Sequence, residues 1–325
     1  MRKITFSEAT REAMAEEMRR DDTIFVMGED IARQGGIFGQ FAGLPDEFGT
    51  ERVRDTPITE TAIVGAAVGA SLAGMRPVAD MHFADFLGVT MDEVFNQMAK
   101  IRYMFGGQTT VPMVIRAPDG LIRSGAAQHS QSVEAWFNNI PGIKVVAPSN
   151  AADAKGLLKA ALRSDDPIIY FENKDLFAKK GEVPEDEDFI VPIGKAAVVK
   201  EGKDVTIVSY SIMMTLVHKA AEKLEAEGYS VEVIDLRTLA PFDKETVIES
   251  VKKTHRLLIA HEAVKVGGLG SEVAAVVAEE ALDYLDAPIV RVGAKFTPVP
   301  FSPTLEEAYR PKVEDIIDGV KGMFK

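Results

Sequence analysis

The chain has 325 residues, 46% of them hydrophobic and 27% charged, which is the composition of an ordinary globular protein long enough for two domains. Fifty acidic residues against 37 basic ones leave a net charge of −13, so phosphate backbones and anionic lipid surfaces are repelled and neither nucleic acid nor membrane is expected as a partner. Cysteine is absent, which removes disulfides, thiolate nucleophiles and cysteine-based metal sites.

The N-terminus, MRKITFSEATREAMAEEM, turns amphipathic and charged at once, and no apolar run reaches the roughly 18 residues of a membrane span, so a cytoplasmic location is expected. A short edge strand leads to a helix that Ser7 can cap, ending near Arg20. DDTIFVMGED then reads as a turn and a buried strand, leaving Glu29 and Asp30 at its carboxyl end, the edge where α/β sheets gather ligands. Residues 31–53 hold five glycines and little periodicity, which predicts a long functional loop with one short helix.

The stretch 54–86 is the most informative. A turn on Asp55 and Pro57 delivers Glu60 to the mouth of a helix so rich in Ala, Gly and Val that little of it is expected to face water, and RPVADMHF follows as a strand. Apolar residues at Met91, Val94, Phe95, Met98 and Ile101 predict one helix over 91–104, stopped by Gly106 and Gly107. Beyond it come the strand VPMVIRA, the polar loop PDGLIRSGAAQHSQS, the helix VEAWFNNI, the strand IKVVAP, a helix capped by Asn150, and PIIYFE as the last strand of this half. Strands alternating with helices predict a parallel sheet covered on both faces. The acidic, apolar-poor KKGEVPEDED marks a boundary, after which the alternation resumes as a second, smaller α/β domain. The expected division is a domain over 1–180, a linker over 181–200 and a second domain over 201–325.

Among candidate site residues, Glu60 is either an anion stabilised by a helix N-terminus or a working group held beside an apolar wall. His129, among small polar residues on a loop, points to a site role. His82 and His261 lie at strand ends where site and structure are both open, and His218 and His255 read as surface positions. No two histidines have metal-ligand spacing. GGLGSE at 267–272 lacks a dinucleotide spacing and reads as a tight turn. No phosphate-binding P-loop or nucleophile elbow occurs.

With these residues in view, the chain resembles the β subunit of the thiamine-diphosphate-dependent decarboxylating component of 2-oxo acid dehydrogenase complexes, the pyruvate, branched-chain and acetoin dehydrogenase group. MGED (27–30), DTPITE (55–60), FADF (83–86), RYMFGG (102–107), AAQHSQS (126–132), PGIKVVAPS (141–149), DAKGLL (153–158), EVIDLRTLAP (232–241), AHEA (260–263) and TPVPFS (297–302) carry the resemblance along the whole chain. It implies a pyrimidine-binding-type parallel-sheet domain followed by a transketolase C-terminal-like α/β domain. It places Glu60 against N1′ of the cofactor's aminopyrimidine, where a carboxylate's hydrogen bond promotes proton removal from C2. Phe86 matches the aromatic stacked on that ring, Glu29 an acid of the proton relay between paired sites, and His129 the histidine serving proton transfer and lipoyl acylation.

The resemblance further implies a structural monovalent cation, usually potassium, at Met113, Ala161, Leu162, Ser164 and Asp166. It also implies an α subunit that holds Mg²⁺ and the diphosphate in an α2β2 heterotetramer, since Asp119-Gly120 and Asn138-Asn139 only echo the family's diphosphate motif, with Pro118 where its first glycine belongs. A lipoyl-bearing acyltransferase core is the expected partner, and a small 2-oxo acid or acyloin the substrate. The alternative within the superfamily is the C-terminal half of a split transketolase-like enzyme.

Overall fold

The computed structural model describes all residues 1–325, and the chain divides into two compact units, Met1–Asp119 with Trp136–Ile193, and Gly120–Ala135 with Gly194–Lys325. The first unit begins with β1 (Arg2–Thr5) and α1 (Phe6–Arg20). Thr5, rather than the expected Ser7, caps α1: its hydroxyl accepts the Glu8 N–H at 3.1 Å while the Glu8 carboxylate accepts the Thr5 N–H at 2.7 Å. This reciprocal box satisfies two of the helix's orphan donors, which a lone serine two residues later cannot do.

There follow β2 (Ile24–Gly28), α2 (Leu44–Phe48), β3 (Val53–Asp55), α3 (Glu60–Leu72) and β4 (Arg76–Asp80). After a 3₁₀ segment at Ala84–Thr90, the helix expected over 91–104 is instead a π turn at Glu93–Met98 and a short α4 (Ile101–Met104). Val94 and Met98 are buried but Phe95 is exposed, so the apolar spacing is met by a wider helical turn than the α period. Next come β5 (Val114–Asp119), α5 (Glu134–Asn138), β6 (Lys144–Val146), α6 (Ala151–Leu162, capped by Asn150), β7 (Ile168–Asn173) and β8 (Lys180–Val183).

The first unit's strands lie in the order β6-β7-β5-β4-β2-β3, every neighbouring pair parallel. PIIYFE is not the last strand here: β8 pairs antiparallel with β1, its backbone groups satisfied by a partner some 180 residues earlier that local pattern does not reveal. On one face α1 packs against α6. Lys155 and Lys159, fully buried on α6, are neutralised by Glu16 of α1 at 2.7 and 2.5 Å, and Arg163 by Glu17 at 2.7 Å. Buried lysines persist only where such pairing offsets their desolvation.

The second unit holds β9 (Ala197–Lys200), β10 (Val205–Ser209), α7 (Met213–Ala226), β11 (Val231–Asp235), β12 (Thr238–Ala240), α8 (Lys244–Thr254), β13 (Leu257–Val264), α9 (Leu269–Glu280), β14 (Val290–Ala294), α10 (Pro303–Tyr309) and α11 (Val313–Gly322). Its five-stranded sheet, β14-β13-β10-β11-β9, is parallel except for the antiparallel edge strand β9. Met213, Val217, Ala220 and Leu224 of α7 meet Ile316 and Val320 of α11 over this sheet's apolar residues.

Candidate active site

In the first unit β2 and β4 run so close that a Cβ on Gly28 would stand 2.9 Å from both Cβ and O of Asp80. Glycine is therefore required where the strand turns out to deliver Glu29. The next loop is fastened to the DTPITE segment: the Asp55 carboxylate accepts the N–H groups of Ala32 at 2.7 Å and Arg33 at 3.3 Å, and the Thr56 N–H reaches the Gly28 carbonyl at 2.9 Å. Asp55 thus fixes the spacing between Glu29 and Glu60. Glu60 is the first residue of α3, half-buried, and its carboxylate has no hydrogen bond or ion pair.

Glu29 is buried, and His82 Nδ1 lies 3.0 Å from its Oε2 in a close charge contact outside hydrogen-bond alignment. Burial pushes the Glu29 carboxyl above its ordinary range; His82 opposes this, and the charges of Glu60 and Asp30 add to it. Glu29, Glu60 and His82 therefore share one electrostatic neighbourhood. Thr61 Oγ1 donates to the Val89 carbonyl at 3.0 Å and ties the start of α3 to the segment that carries Phe86. Phe86 is half-buried, 6.2 Å from Phe83 edge to face, and Phe83 in turn meets Phe38 at 6.1 Å. A free carboxylate tied to a partly open aromatic segment suits a flat heteroaromatic ring with a basic nitrogen.

Behind Glu29 lies a network that sequence pattern did not reveal. Arg116 is fully buried, donates to both Glu172 oxygens at 2.8 Å and stacks 4.7 Å from the Phe41 ring. Asp80, directly opposite Arg116 in the sheet, is buried as well. One guanidinium neutralises one carboxylate, so the second keeps its proton: burial pushes the Asp80 carboxyl up to about 8, Arg116 opposing and Glu172 adding. Its ordinary value is 3.8, so across the interval up to about 8 the native state holds a proton that the unfolded chain has lost. Stability from this group is complete at low pH and falls as pH rises through that window. Asp80→Asn, which keeps the shape without titrating, is expected to gain about 1–3 kcal/mol on the wild type between roughly pH 5 and pH 8. Urea unfolding at the two pH values checks this; a constant difference would mean Asp80 is ionised throughout.

In the helix α3 the expectation of near-complete burial fails. Ile63, Val64, Ala67 and Val68 face the core, but Ala62, Ala66, Gly69, Leu72 and Ala73 line an exposed apolar strip. A helix that is apolar all round is covered on both sides, and this chain covers one. Ile58, 81% exposed, extends the strip past Glu60.

His129 belongs to the second unit, on the excursion Gly120–Ala135. Its loop carries Ser124 and Ala126 in left-handed conformation, φ 59° and 60°. Nearby, Glu134 is fully buried, its carboxyl raised by burial against the opposing 2.6 Å hydrogen bond from the Tyr210 hydroxyl. Burial, with the charges of Glu262 and Glu134, pushes the Tyr309 hydroxyl up to about 12. His261 is structural in its surroundings: Nδ1 contacts the Ala263 carbonyl at 2.9 Å, burial lowers the ring to about 4, and a Cβ on Gly268 or Gly270 would lie 2.8 Å from it. The GGLG turn is thus the close approach that its glycines suggested.

The positions assigned to a monovalent cation gather around the ends of β5, α6 and β7. The carbonyls of Leu162 and Ser164 accept from Arg76 Nη1 at 3.3 and 2.9 Å, that of Ala161 from the Ser164 N–H at 3.1 Å, and that of Met113 from the Ile168 N–H at 3.0 Å. Partial burial opposes it, but Lys144, 2.9 Å away, and Arg102 hold the Asp166 carboxyl below its ordinary range. The Ala161 carbonyl also receives the Arg163 N–H, so its two lone pairs are both engaged.

Residues 2–179 match the transketolase pyrimidine-binding domain family and residues 194–316 the transketolase C-terminal domain family, so fold and site define a transketolase-like protein. A solved "split gene transketolase, inactive beta4 tetramer" superposes with TM-score 0.80 over 98% of each chain at 29% identity. Among curated relatives, the pyruvate dehydrogenase E1 component subunit beta of Rhizobium meliloti is 48% identical over 99% of this chain and 70% of its own. The 2-oxoisovalerate dehydrogenase subunit beta of Bacillus subtilis is 48% identical over 94% of both chains. The acetoin:2,6-dichlorophenolindophenol oxidoreductase subunit beta of Cupriavidus necator is 45% identical over 100% of this chain and 98% of its own. The chain belongs to the family of β subunits of the pyruvate, 2-oxoisovalerate and acetoin dehydrogenases. No helix is long and apolar enough to cross a membrane.

Proposed function

We propose that this chain is the β half of a thiamine-diphosphate-dependent dehydrogenase component that cleaves a small 2-oxo acid or acyloin and passes the acyl group to lipoyl groups. The observation that carries this is the unpaired Glu60 carboxylate at the first turn of α3, within charge reach of the buried Glu29–His82 pair. Identity of 48% to dehydrogenase β subunits, against 29% to the split transketolase, favours the dehydrogenase over the transketolase alternative.

Thiamine diphosphate, when bound, supplies the carbon nucleophile and the electron sink for breaking a bond beside a carbonyl. Glu60, half-buried at the first turn of α3, would share a proton at N1′. Phe86 would hold the ring from one side. Glu29, its carboxyl raised by burial against the opposing charge of His82, would hold and return a proton more readily than an exposed carboxylate. His129 would give a proton to the sulfur released when the lipoyl disulfide opens to take up the acyl group.

We assign Mg²⁺ and the diphosphate to an α subunit in an α2β2 heterotetramer, and a lipoyl-bearing acyltransferase core as its partner in the cytoplasm. The exposed strip of α3 supports an α or β neighbour there, since small side chains let another helix approach closely. Residues 1–180 are proposed as the pyrimidine-binding-type domain and 201–325 as the C-terminal-like domain, with 181–200 as a linker that β8 and β9 overlap at its ends. A potassium ion would be held by the carbonyls of Met113, Ala161 and Leu162 beside Ser164 and Asp166, in competition with Arg76, Lys144 and the Arg163 and Ser164 N–H groups on Ala161.

Co-expression with the α subunit tests the whole: steady-state rates with pyruvate, branched 2-oxo acids and acetoin are expected to exceed any transfer between sugar phosphates, and the reverse would overturn it. In that assembly His129→Ala is expected to lower lipoyl-domain acylation at least about tenfold more than decarboxylation read with an artificial electron acceptor. Equal losses would move His129 to an earlier step.

A further inference from the structure

The TPVPFS motif and α10 behind it have no part in the chemistry described so far, yet α10 carries a buried carboxylate whose partner is the backbone of the His129 loop. Glu306, 7% exposed, accepts the Ser124 N–H through both oxygens, at 3.0 and 3.1 Å. A buried carboxylate held by one backbone N–H is expensive to keep. We infer that Glu306 is a positioning residue for His129: it clamps the loop 120–132 in a shape the loop does not hold alone, and so governs acyl transfer to the lipoyl group. This rests on the function proposed above.

Three features of the loop carry the inference. Ser124 and Ala126 both sit in the left-handed region, where each L residue costs about 1–2 kcal/mol, and a Cβ on Gly125 between them would fall 2.3 Å from Ile122 Cγ2 and 2.6 Å from Ser130 Oγ. Such a shape persists only where its surroundings over-determine it. The loop is pinned on both sides of His129 by the second unit: Leu121 packs with Ala294, Val299 and Tyr309, Ser132 Oγ reaches Glu262 at 3.4 Å, and Glu134 meets Tyr210 at 2.6 Å. The neck is closed by the Gly120 N–H on the Gln131 carbonyl at 3.1 Å. Of these pins Glu306 is the one that grips the strained turn itself. Val299 of TPVPFS is buried against Leu121, so that motif sets the height of α10 over the loop.

The test uses the assembled α/β enzyme with Glu306→Ala and Glu306→Gln. Glutamine keeps one acceptor oxygen for the Ser124 N–H and loses the charge. Loss of a charge-assisted hydrogen bond predicts a fall in lipoyl-domain acylation of about 10–100-fold for Glu306→Ala, with decarboxylation to an artificial acceptor within about twofold of wild type. Glu306→Gln is expected to recover at least half of the lost acylation on a logarithmic scale.

Independent of activity, hydrogen exchange of the peptide spanning 121–132 is expected to quicken about tenfold or more in Glu306→Ala, with β10 and β11 unchanged. Unchanged exchange in that peptide overturns the clamp, and equal loss of acylation and decarboxylation overturns the link to His129. If Glu306→Ala does not assemble, the same two readouts on Glu306→Gln decide, with no change in either counting against the proposal. A wild-type assembly inactive toward every 2-oxo acid and acyloin would instead sink the proposed function and leave the exchange result standing.

Discussion

Replacing Glu60 by glutamine in the assembled enzyme is expected to slow hydrogen–deuterium exchange at C2 of bound thiamine diphosphate by about 10²–10³-fold, with the fold intact. Several facts combine in this expectation. Glu60 heads α3 without a hydrogen-bond or charge partner of its own, so the amide loses nothing inside the chain. The helix dipole favours its charge by only about 0.3–1 kcal/mol, so stability changes little. The amide is isosteric and cannot hold a proton at N1′ in exchange for a charge. Cofactor affinity measured beside the exchange rate separates binding from activation. Near-normal exchange in the variant would remove Glu60 from the mechanism and leave it as a helix anion.

Removing the Arg116 side chain is expected to lower stability by about 3–5 kcal/mol, because Glu172 would remain buried, 1% exposed, with its bidentate partner gone. For a unit of this size that corresponds to a fall of roughly 10 °C in the unfolding midpoint. Burial disfavours the Arg116 charge, but Glu172 overrides it and raises the group's affinity for its proton, so the arginine stays charged at any accessible pH. The double variant Arg116→Met, Glu172→Leu is expected to regain most of the loss, since neither partner is left unpaired. A double variant no more stable than Arg116→Ala would mean that Asp80, directly opposite Arg116 in the sheet, is the group the guanidinium chiefly serves.

How much of the site can be read along the chain depends on where each partner comes from. Glu29 at a strand end and Glu60 at a helix start follow from short-range periodicity, and the structure keeps both in those places. The Glu29–His82 contact joins residues 53 positions apart, and His82 by itself remained as consistent with structure as with a site. Asp80 and Arg116 sit inside apolar strands, where a charged residue reads as an interruption until the register places Asp80 opposite Arg116 and Arg116 beside the Glu172 strand. Glu306 lay beyond reach altogether: its partner is a backbone N–H, and any residue has one.

Composition and motif order, taken alone, determined the α/β alternation, two domains' worth of chain and the absence of cysteine chemistry, and the motifs carried a resemblance to a thiamine-enzyme family, because each depends on local periods or short contiguous words. They also led to expectations the fold overturned, among them the burial of α3, whose apolar strip reads as burial in any sequence. Only the folded chain shows that one side of the helix is uncovered, as solvent exposure depends on what packs against a face rather than on the face's own residues. The tertiary structure likewise decided which acids share a charge neighbourhood, that Asp80 keeps its proton, and which carboxylate grips the His129 loop. Those are properties of desolvation and of contacts across tens to hundreds of residues, and they exist once the strands are in register.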